Sequence, residues 1–354
     1  MSSASVVALK PVRASDKRIV NGGTDVNQLA PFKYTWAWDK FIKANANHWV
    51  PTEIGMGSDI FDFKQKLSDA DKHLFTNVLS FLSTSDIMAM RNIGLAIMEK
   101  ITAPEIQAYQ ARQIAEESVH TWTYQHCIEV LGLDQGEVYN RYRVIPEIHA
   151  KIAIAARRLE SVLRPNIDLK DRDELQNFLM AYTFFAGVFE GTWFYNGFTP
   201  VFALQRRGLM KETAEQFQYI LRDEVLHAEF GLQVVSEIMA EENIRLDPVA
   251  WRTMWEECHA AEEDYMNYVL PRPMVGYAAS QHMEQFRYIA NRRAREVGMP
   301  EVYPGAENVL TWLDEQAIIK KEKNFFETRV SEYQRGSALS WDDDEPGSGG
   351  TPSP

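Results

Sequence analysis

The sequence is poor in three features, each of which would point to a particular class of protein. Its 354 residues include only two cysteines, Cys127 and Cys258, too few for a disulfide scaffold or a thiolate metal site. Lys and Arg number 37 against 50 Asp and Glu, and the net charge of -13 disfavours nucleic acid as a partner. The longest mainly apolar run, 178–189, is shorter than the roughly 20 residues that span a bilayer. We therefore expect a cytoplasmic protein that binds neither membrane nor nucleic acid.

The sequence is rich in helical periodicity. Apolar residues recur three and four positions apart through long stretches that contain little Pro or Gly, which predicts helices and no strand. Two stretches open like helix capping boxes, at Ser68 with Asp71 and at Thr102 with Glu105. Several are about twice the average helix length of ~11 residues, as in a helical bundle. We expect an all-α bundle with helices over 33–49, 68–101, 102–132, 145–163, 171–199, 211–243, 249–267 and 275–296.

The two ends of the chain differ in composition from its body. The N-terminal stretch has scattered charges and no apolar segment, so it is neither a signal peptide nor an anchor. The C-terminal stretch carries four consecutive acids, Asp342 to Glu345, and then mainly Gly, Ser and Pro, a composition that cannot offset the entropy of ordering. We expect a flexible arm over 1–25, a bundle domain over 26–325 and a flexible tail over 326–354.

A carboxylate followed by a Glu-x-x-His motif occurs twice. On a helix the i, i+3 spacing places the Glu and the His on one face. Glu117 of the first motif follows Asp86 by 31 positions, and Glu224 of the second follows Glu190 by 34. Asp86 and Glu190 lie in apolar stretches, where an unpaired carboxylate is costly. The repeat predicts two antiparallel helix pairs with six inward-facing side chains, completed by His120 and His227.

Four carboxylates and two neutral imidazoles carry a charge of -4, which two divalent cations would cancel. Oxygen ligands with imidazole suit iron or manganese, and a bundle core with this ligand set is typical of ferritin-like di-iron and di-manganese proteins. The alternative is that the acids form core ion pairs with Arg91, Arg112 and Arg222, which leaves the doubled spacing without a cause.

Three residues near the predicted ligands add to the hypothesis. Tyr124, four residues after His120, is on the ligand face of its helix and offers an oxidisable ring; the equivalent position in the second unit is Gly231. Asp223, four residues before His227, can accept a hydrogen bond from a metal-bound imidazole or be a surface charge. Trp49, after the first predicted helix, would ordinarily be a core anchor.

These residues together resemble the small, radical-generating subunit of class I ribonucleotide reductase. The resemblance rests on Asp86, Glu117-x-x-His120 with Tyr124, Glu190 and Arg222-Asp-Glu-x-x-His227, and it extends from about Val26 to Tyr333. It implies a homodimer whose two-metal centre reacts with dioxygen and stores a one-electron oxidant. It also implies a large catalytic subunit that receives this oxidant and reduces ribonucleoside diphosphates. The relay implied by the family runs through the following residues: His120, Asp223, Trp49 and Tyr333.

The resemblance leaves the metal open between two types of centre. Outside the site the chain is most similar to the class Ic members, which use manganese and iron, carry Phe where Tyr124 stands and usually have Glu where Asp86 stands. The pair of Tyr124 and Asp86 is that of the tyrosyl-radical type, and we favour Fe/Fe over Mn/Fe. Two alternatives lie outside the family, a stand-alone di-iron oxidase or oxygenase and a ferritin-like metal-binding bundle.

Overall fold

Helices make up the regular structure of this chain, as the sequence predicts. The structure, a computed structural model, describes residues 13–22, 32–45, 47–164 and 166–317, and within these ranges the only β pairing is a bridge between Met274 and Tyr277. The α-helices are α1 Thr35–Ala44, α2 Gly57–Phe61, α3 Asp69–Asn92, α4 Pro104–Leu131, α5 Gln135–Val144, α6 Pro146–Glu160, α7 Arg172–Thr183, α8 Tyr195–Gly197, α9 Thr199–Arg206, α10 Lys211–Glu241, α11 Pro248–Val269, α12 Ala279–Glu296 and α13 Thr311–Ala317. Three π-helical segments, Asp62–Lys66, Ile93–Ile97 and Phe184–Phe194, and three 3-10 turns, Ala14–Asp16, Pro51–Glu53 and Met98–Lys100, complete them.

One of the two predicted capping boxes is confirmed and the other is wrong. The Ser68 hydroxyl accepts a hydrogen bond from the Asp71 N–H, and the Asp71 carboxylate accepts one from the Ser68 N–H, so α3 begins as predicted. The N-cap of α4 is Ala103 instead of Thr102. The Thr102 hydroxyl is oriented toward the carbonyls of Arg18 and Ile19, and the Glu105 carboxylate pairs with Lys17. Thr102 and Glu105 therefore contact residues outside α4 and do not cap its N-terminus.

The predicted helix bounds fail mainly where the helix type changes. The single helix expected over 68–101 is α3 followed by a π-helical and a 3-10 segment, and the one expected over 171–199 is α7 followed by an 11-residue π segment. Helices α2, α5 and α13 lie outside the predicted ranges, and α9 shares only its first residue with one of them. A wider turn changes the hydrogen-bond register without requiring a particular residue, so apolar periodicity gives no sign of it.

Four elements form the centre of the bundle. Helix α3 packs on α4, and α10 packs on both α4 and the π segment Phe184–Phe194. Helix α1 covers α4 and α10 on one side, and α11 packs against α6 and α12 on another. The π segment is buried along its whole length. These contacts place α3, α4, the π segment and α10 next to one another around a shared part of the core.

Residues 13–22, which the sequence assigns to a flexible arm, pack on the body. Lys17, Ile19 and Val20 are fully buried, and the Lys17 ammonium lies 2.9 Å from the Glu105 carboxylate. The rest of the expected arm and the whole expected tail, 326–354, lie outside the described residues. Among the described helices, none combines the length and apolarity needed to cross a membrane.

The close packing of α10 on the π segment depends on Gly231. A Cβ at this position would lie 2.5 Å from the Ala186 Cβ and 3.3 Å from Tyr182 Cε2. We predict that Gly231→Ala lowers the free energy of unfolding of the metal-free protein by about 1–3 kcal/mol, because the two elements must separate. Urea denaturation followed by circular dichroism measures this.

Gly197→Ala is the matched control, since a Cβ there meets only Leu82 at an ordinary 3.7 Å. Equal stability of the two variants would show that the approach of α10 to the π segment is looser than the structure has it.

Candidate metal centre

The six predicted ligand residues meet inside the bundle. Asp86 comes from α3, Glu117 and His120 from α4, Glu190 from the π segment, and Glu224 and His227 from α10, and all are at most 1% exposed. Their donor atoms form two groups, within each of which the atoms lie within 4.8 Å of one another. The first group is Asp86, Glu117, His120 and Glu224, and the second is Glu117, Glu190, Glu224 and His227.

Glu117 and Glu224 belong to both groups because each directs one carboxylate oxygen to each histidine. His120 Nδ1 lies 3.4 Å from Glu117 Oε2 and 3.2 Å from Glu224 Oε1. His227 Nδ1 lies 3.2 Å from Glu117 Oε1 and 3.5 Å from Glu224 Oε2. The outer members complete the groups, with Asp86 Oδ2 3.6 Å from His120 Nδ1 and Glu190 Oε2 4.0 Å from His227 Nδ1. Two carboxylates are thus shared by the two groups and one further carboxylate belongs to each, a donor set that could hold a pair of ions.

Most of the donor atoms that point into the cluster have no hydrogen-bond partner among the described residues. This holds for both carboxylate oxygens of Asp86, Glu117 and Glu224 and for Nδ1 of both histidines. Buried polar atoms are almost always hydrogen-bonded, and an unsatisfied one costs about 1–3 kcal/mol, more when it is charged. So many unsatisfied atoms directed at one point fit a pair of cations bound between them.

The electrostatics of the cluster favour cations strongly. Burial and neighbouring carboxylates raise the pKa of Asp86 and of Glu190 well above its usual value. Burial acts in the same direction on Glu117, but the close contacts with both imidazoles outweigh it and lower its pKa to about 2. Burial disfavours the charged imidazoles, yet the surrounding carboxylates outweigh it and raise the pKa of both histidines well above the usual value. Protons neutralise the cluster when no cation does, and metal binding must release them.

Each histidine directs its Nε2 atom away from the cluster and toward an acid on the other of the two helices α4 and α10. His120 Nε2 lies 3.1 Å from Asp223 Oδ2, which fits the expected role of Asp223. His227 Nε2 lies 2.8 Å from Glu116 Oε2, a contact that the sequence reasoning missed. Asp223 immediately precedes Glu224 and Glu116 immediately precedes Glu117, so the repeated motif is acid-Glu-x-x-His. Both acids favour the tautomer that leaves Nδ1 free for a metal.

Glu190 is carried by a stretch of π-helix whose freed carbonyls have side-chain partners. The Thr192 hydroxyl donates to the Gly187 carbonyl at 2.7 Å, and Arg293 donates from Nε and Nη2 to the Gly191 carbonyl at 3.1 and 3.0 Å. The Gln113 amide donates to both oxygens of Glu190 at 2.9 Å. Thr192 and Arg293 thus fix the backbone around Glu190, and Gln113 fixes its carboxylate. Together they orient Glu190 toward the second group.

Tyr124 is buried beside the first group. Burial, and after it the charges of Asp86 and Glu224, raise the pKa of Tyr124 well above its usual value, and its hydroxyl has no hydrogen-bond partner in the described part of the chain. The ring meets Phe217 edge to face, with centroids 5.6 Å apart, and Phe217 in turn meets Phe198.

Of the two remaining expected relay residues, only Trp49 lies within the described part of the chain. Trp49 stacks on Tyr219, with ring centroids 5.4 Å apart, and no hydrogen bond joins it to Asp223. The Asn47 amide occupies that place and donates to Asp223 Oδ1 at 2.7 Å. Tyr333 lies outside the described residues.

The three arginines weighed as ion-pair partners do not reach the cluster. Arg112 pairs with Glu116, and Arg222 lies over the ring of Tyr219. Within the described ranges, neither these two nor Arg91 pairs with any of the six residues, so core ion pairs with them do not explain the cluster.

Comparison with known proteins agrees with the site. The family model described as "Ribonucleotide reductase, small chain" matches residues 26–309. The chain is 39% identical to the ribonucleoside-diphosphate reductase subunit beta of Chlamydia pneumoniae over 94% of this chain and 97% of that one. It is 29% identical to the small subunit of Dictyostelium discoideum over 87% of this chain and 86% of that one.

Solved structures share the fold at low sequence identity. A ribonucleotide reductase R2 subunit from Clostridium botulinum matches with a TM-score of 0.74 and 24% identity, over 85% of this chain and 94% of that one. A dimanganese(II)-NrdF from Streptococcus sanguinis matches with a TM-score of 0.65 and 19% identity, over 81% and 97%.

The two overlapping groups predict different losses of metal from different substitutions. Glu224→Ala should bring the content of bound ions close to zero, because both groups lose a shared carboxylate. Asp86→Ala and Glu190→Ala should each weaken one ion and retain the other. Elemental analysis after reconstitution and desalting measures the content.

Glu229→Ala is the control, since this acid lies on the same helix but pairs with Lys40 at the surface. Equal metal loss in all three site variants would contradict the division into two groups.

Proposed function

The chain belongs to the ribonucleotide reductase small-chain family and is the small subunit of ribonucleoside-diphosphate reductase; from this premise we propose how its site acts. The six buried residues would hold two metal ions, and Tyr124 would store a one-electron oxidant beside them. A large subunit receives that oxidant for ribonucleotide reduction in the cytoplasm. The convergence of unpartnered donor atoms beside an unpartnered tyrosine hydroxyl carries this proposal. Family membership favours it over a stand-alone oxidase or a storage bundle.

The surroundings of Tyr124 suit the storage of a one-electron oxidant. When bound, the two ions supply oxidising power drawn from dioxygen. Burial raises the pKa of the Tyr124 phenol well above its usual value, and Asp86 is the neighbouring carboxylate to which its proton can pass when an electron leaves. The edge of Phe217 and the absence of solvent contact protect the oxidised ring from water and reductants.

For the metals we propose Fe/Fe, with Mn/Fe as the second candidate. Carboxylate oxygen and imidazole nitrogen suit both elements. Tyr124 lies where it can hold the oxidant, so neither ion has to keep it, and this favours the iron pair. One of the solved structures with this fold is described as a dimanganese(II) protein, so manganese belongs in the test.

For the route to the large subunit we propose His120, Asp223, Trp49 and then Tyr333. The hydrogen bond between His120 and Asp223 supports the first step. Asn47 contacts Asp223 and lies two residues before Trp49, so it connects the acid to the segment that carries the indole. Stacking on Tyr219 fixes the indole plane.

Two tyrosine substitutions separate storage from transfer. We predict that Tyr124→Phe abolishes the tyrosyl signal in electron paramagnetic resonance after maturation with iron and oxygen, because the oxidisable phenol is gone. Tyr333→Phe should retain that signal and lose more than 90% of turnover with the large subunit, because transfer then lacks its last step.

Maturation with iron, with manganese and with both identifies the active metal set. A tyrosyl signal of unchanged shape in Tyr124→Phe would place the oxidant on another residue, and full turnover by Tyr333→Phe would remove that residue from the route.

We further propose that the outer face of the α3–α4 pair joins two copies into a homodimer. Trp122 on α4 is 45% exposed, and Ile87 and Leu95 beside α4 are 42% and 55% exposed. The Ser118 hydroxyl contacts the Met90 sulfur at 3.3 Å, which makes the two helix faces one continuous surface. Large exposed apolar side chains that share a surface are typical of interfaces. The same surface on both partners suits a twofold axis.

Trp122→Glu should shift the dimer toward monomer, because two buried charges would face each other across the axis. Light scattering after size-exclusion chromatography measures the mass. Val249→Glu, at another exposed apolar position, should remain dimeric, and a Trp122→Glu dimer of unchanged affinity would place the interface elsewhere.

A further inference from the structure

The pair of Arg112 and Glu116 differs from an ordinary surface ion pair on a helix. The two residues are four apart on α4, and Arg112 Nε lies 2.8 Å from Glu116 Oε1. A solvent-exposed pair of this kind contributes little. Glu116, however, is only 3% exposed, and its second oxygen accepts from His227 Nε2 at 2.8 Å. The carboxylate therefore joins a guanidinium to a histidine of the cluster.

Arg112 also reaches beyond its own helix. Its Nη2 donates to the backbone carbonyl of Asn47 at 3.3 Å and approaches that of Ala44 at 3.5 Å. The Asn47 side chain donates in the other direction, to Asp223 Oδ1, and Asp223 contacts His120. Contacts of Glu116, Arg112, Asn47 and Asp223 thus connect the outer nitrogens of the two histidines, with Asn47 contributing both its backbone carbonyl and its side-chain amide.

The guanidinium gives Glu116 a role that a ligand carboxylate cannot have. Because Arg112 pairs with one of its oxygens, Glu116 has a partner in the interior and offers its other oxygen to His227 without binding a cation itself. It can then hold the His227 Nε2–H, which leaves the Nδ1 lone pair directed at Glu117, Glu190 and Glu224. Acceptors behind a ligating imidazole orient the ring and raise its basicity.

We propose that Arg112 and Glu116 are positioning residues that set the metal affinity of the second group, with Arg112 acting through Glu116. This inference rests on the proposed function, because it presupposes that the second group binds an ion. It assigns no role in the first group, whose histidine is held by Asp223. The pair accordingly distinguishes the two ions.

Anaerobic titration of the full-length metal-free protein with Mn(II), with free Mn(II) followed by its electron paramagnetic resonance signal, tests this without any turnover. Glu116→Gln keeps the size of the side chain and removes its charge. We expect one of two ions to bind about 10- to 100-fold more weakly and the other to keep its wild-type affinity. Arg112→Met should act in the same direction, and Arg112→Lys should restore part of the loss.

Because the two residues act as one unit, the double variant Arg112→Met/Glu116→Gln should bind no more weakly than the poorer single variant. Glu129→Gln is the matched control, since it makes the same change on an exposed face of α4. Thermal unfolding of the metal-free variants detects misfolding, and a purely structural role would weaken both ions together.

Three outcomes overturn the inference while leaving the proposed function intact. These are unchanged affinity for both ions in Glu116→Gln, an equal loss for both, or additive losses in the double variant. A wild-type chain that binds neither Mn(II) nor Fe(II) would overturn the proposed function together with the inference.

Discussion

The structure depends on one constraint, which is that four carboxylates and two imidazoles lie together where no water reaches them. Several like charges at such short range in a medium of low polarity are not stable without countercharge. The helices around them cannot supply it, since the nearby guanidinium of Arg112 is already paired with Glu116. The folded chain therefore forms a buried site whose electrostatics strongly favour the binding of cations. The tight packing of α3, α4, the π segment and α10 keeps water from stabilising these charges instead.

This constraint is also why the site could be predicted from sequence to a large extent. The i, i+3 spacing within a helix is local, so Glu117 with His120 and Glu224 with His227 could be placed on common faces without coordinates. The doubled spacing then implied that Asp86 and Glu190 come from neighbouring helices. The start of α3 was equally predictable, because the Ser68 box is satisfied by groups three residues apart.

What could not be predicted depends on contacts between elements. Glu116 was within reach, since it precedes Glu117 as Asp223 precedes Glu224, but its partner His227 lies on another helix. Asn47 gave no sign, because its relation to Asp223 arises only when the end of α1 meets α10. The Thr102 box failed for the same reason, since residues 18 and 19 lie against its hydroxyl. Local signals were overridden wherever a distant segment offered a better partner.

The contrast between Tyr124 and Gly231 has a further consequence. The two groups of donor residues are similar, but the space beside them differs. Ala186 occupies the volume that a side chain at 231 would need. A ring at position 231, the counterpart of Tyr124 in the second motif, is therefore excluded. The correspondence between the two motifs therefore ends at this position. The first motif is followed by an oxidisable tyrosine at 124, and the second cannot have one at 231. The chemical difference between the two halves of the site thus arises from the close approach of Gly231 to Ala186. It does not require a difference among the residues that face the ions.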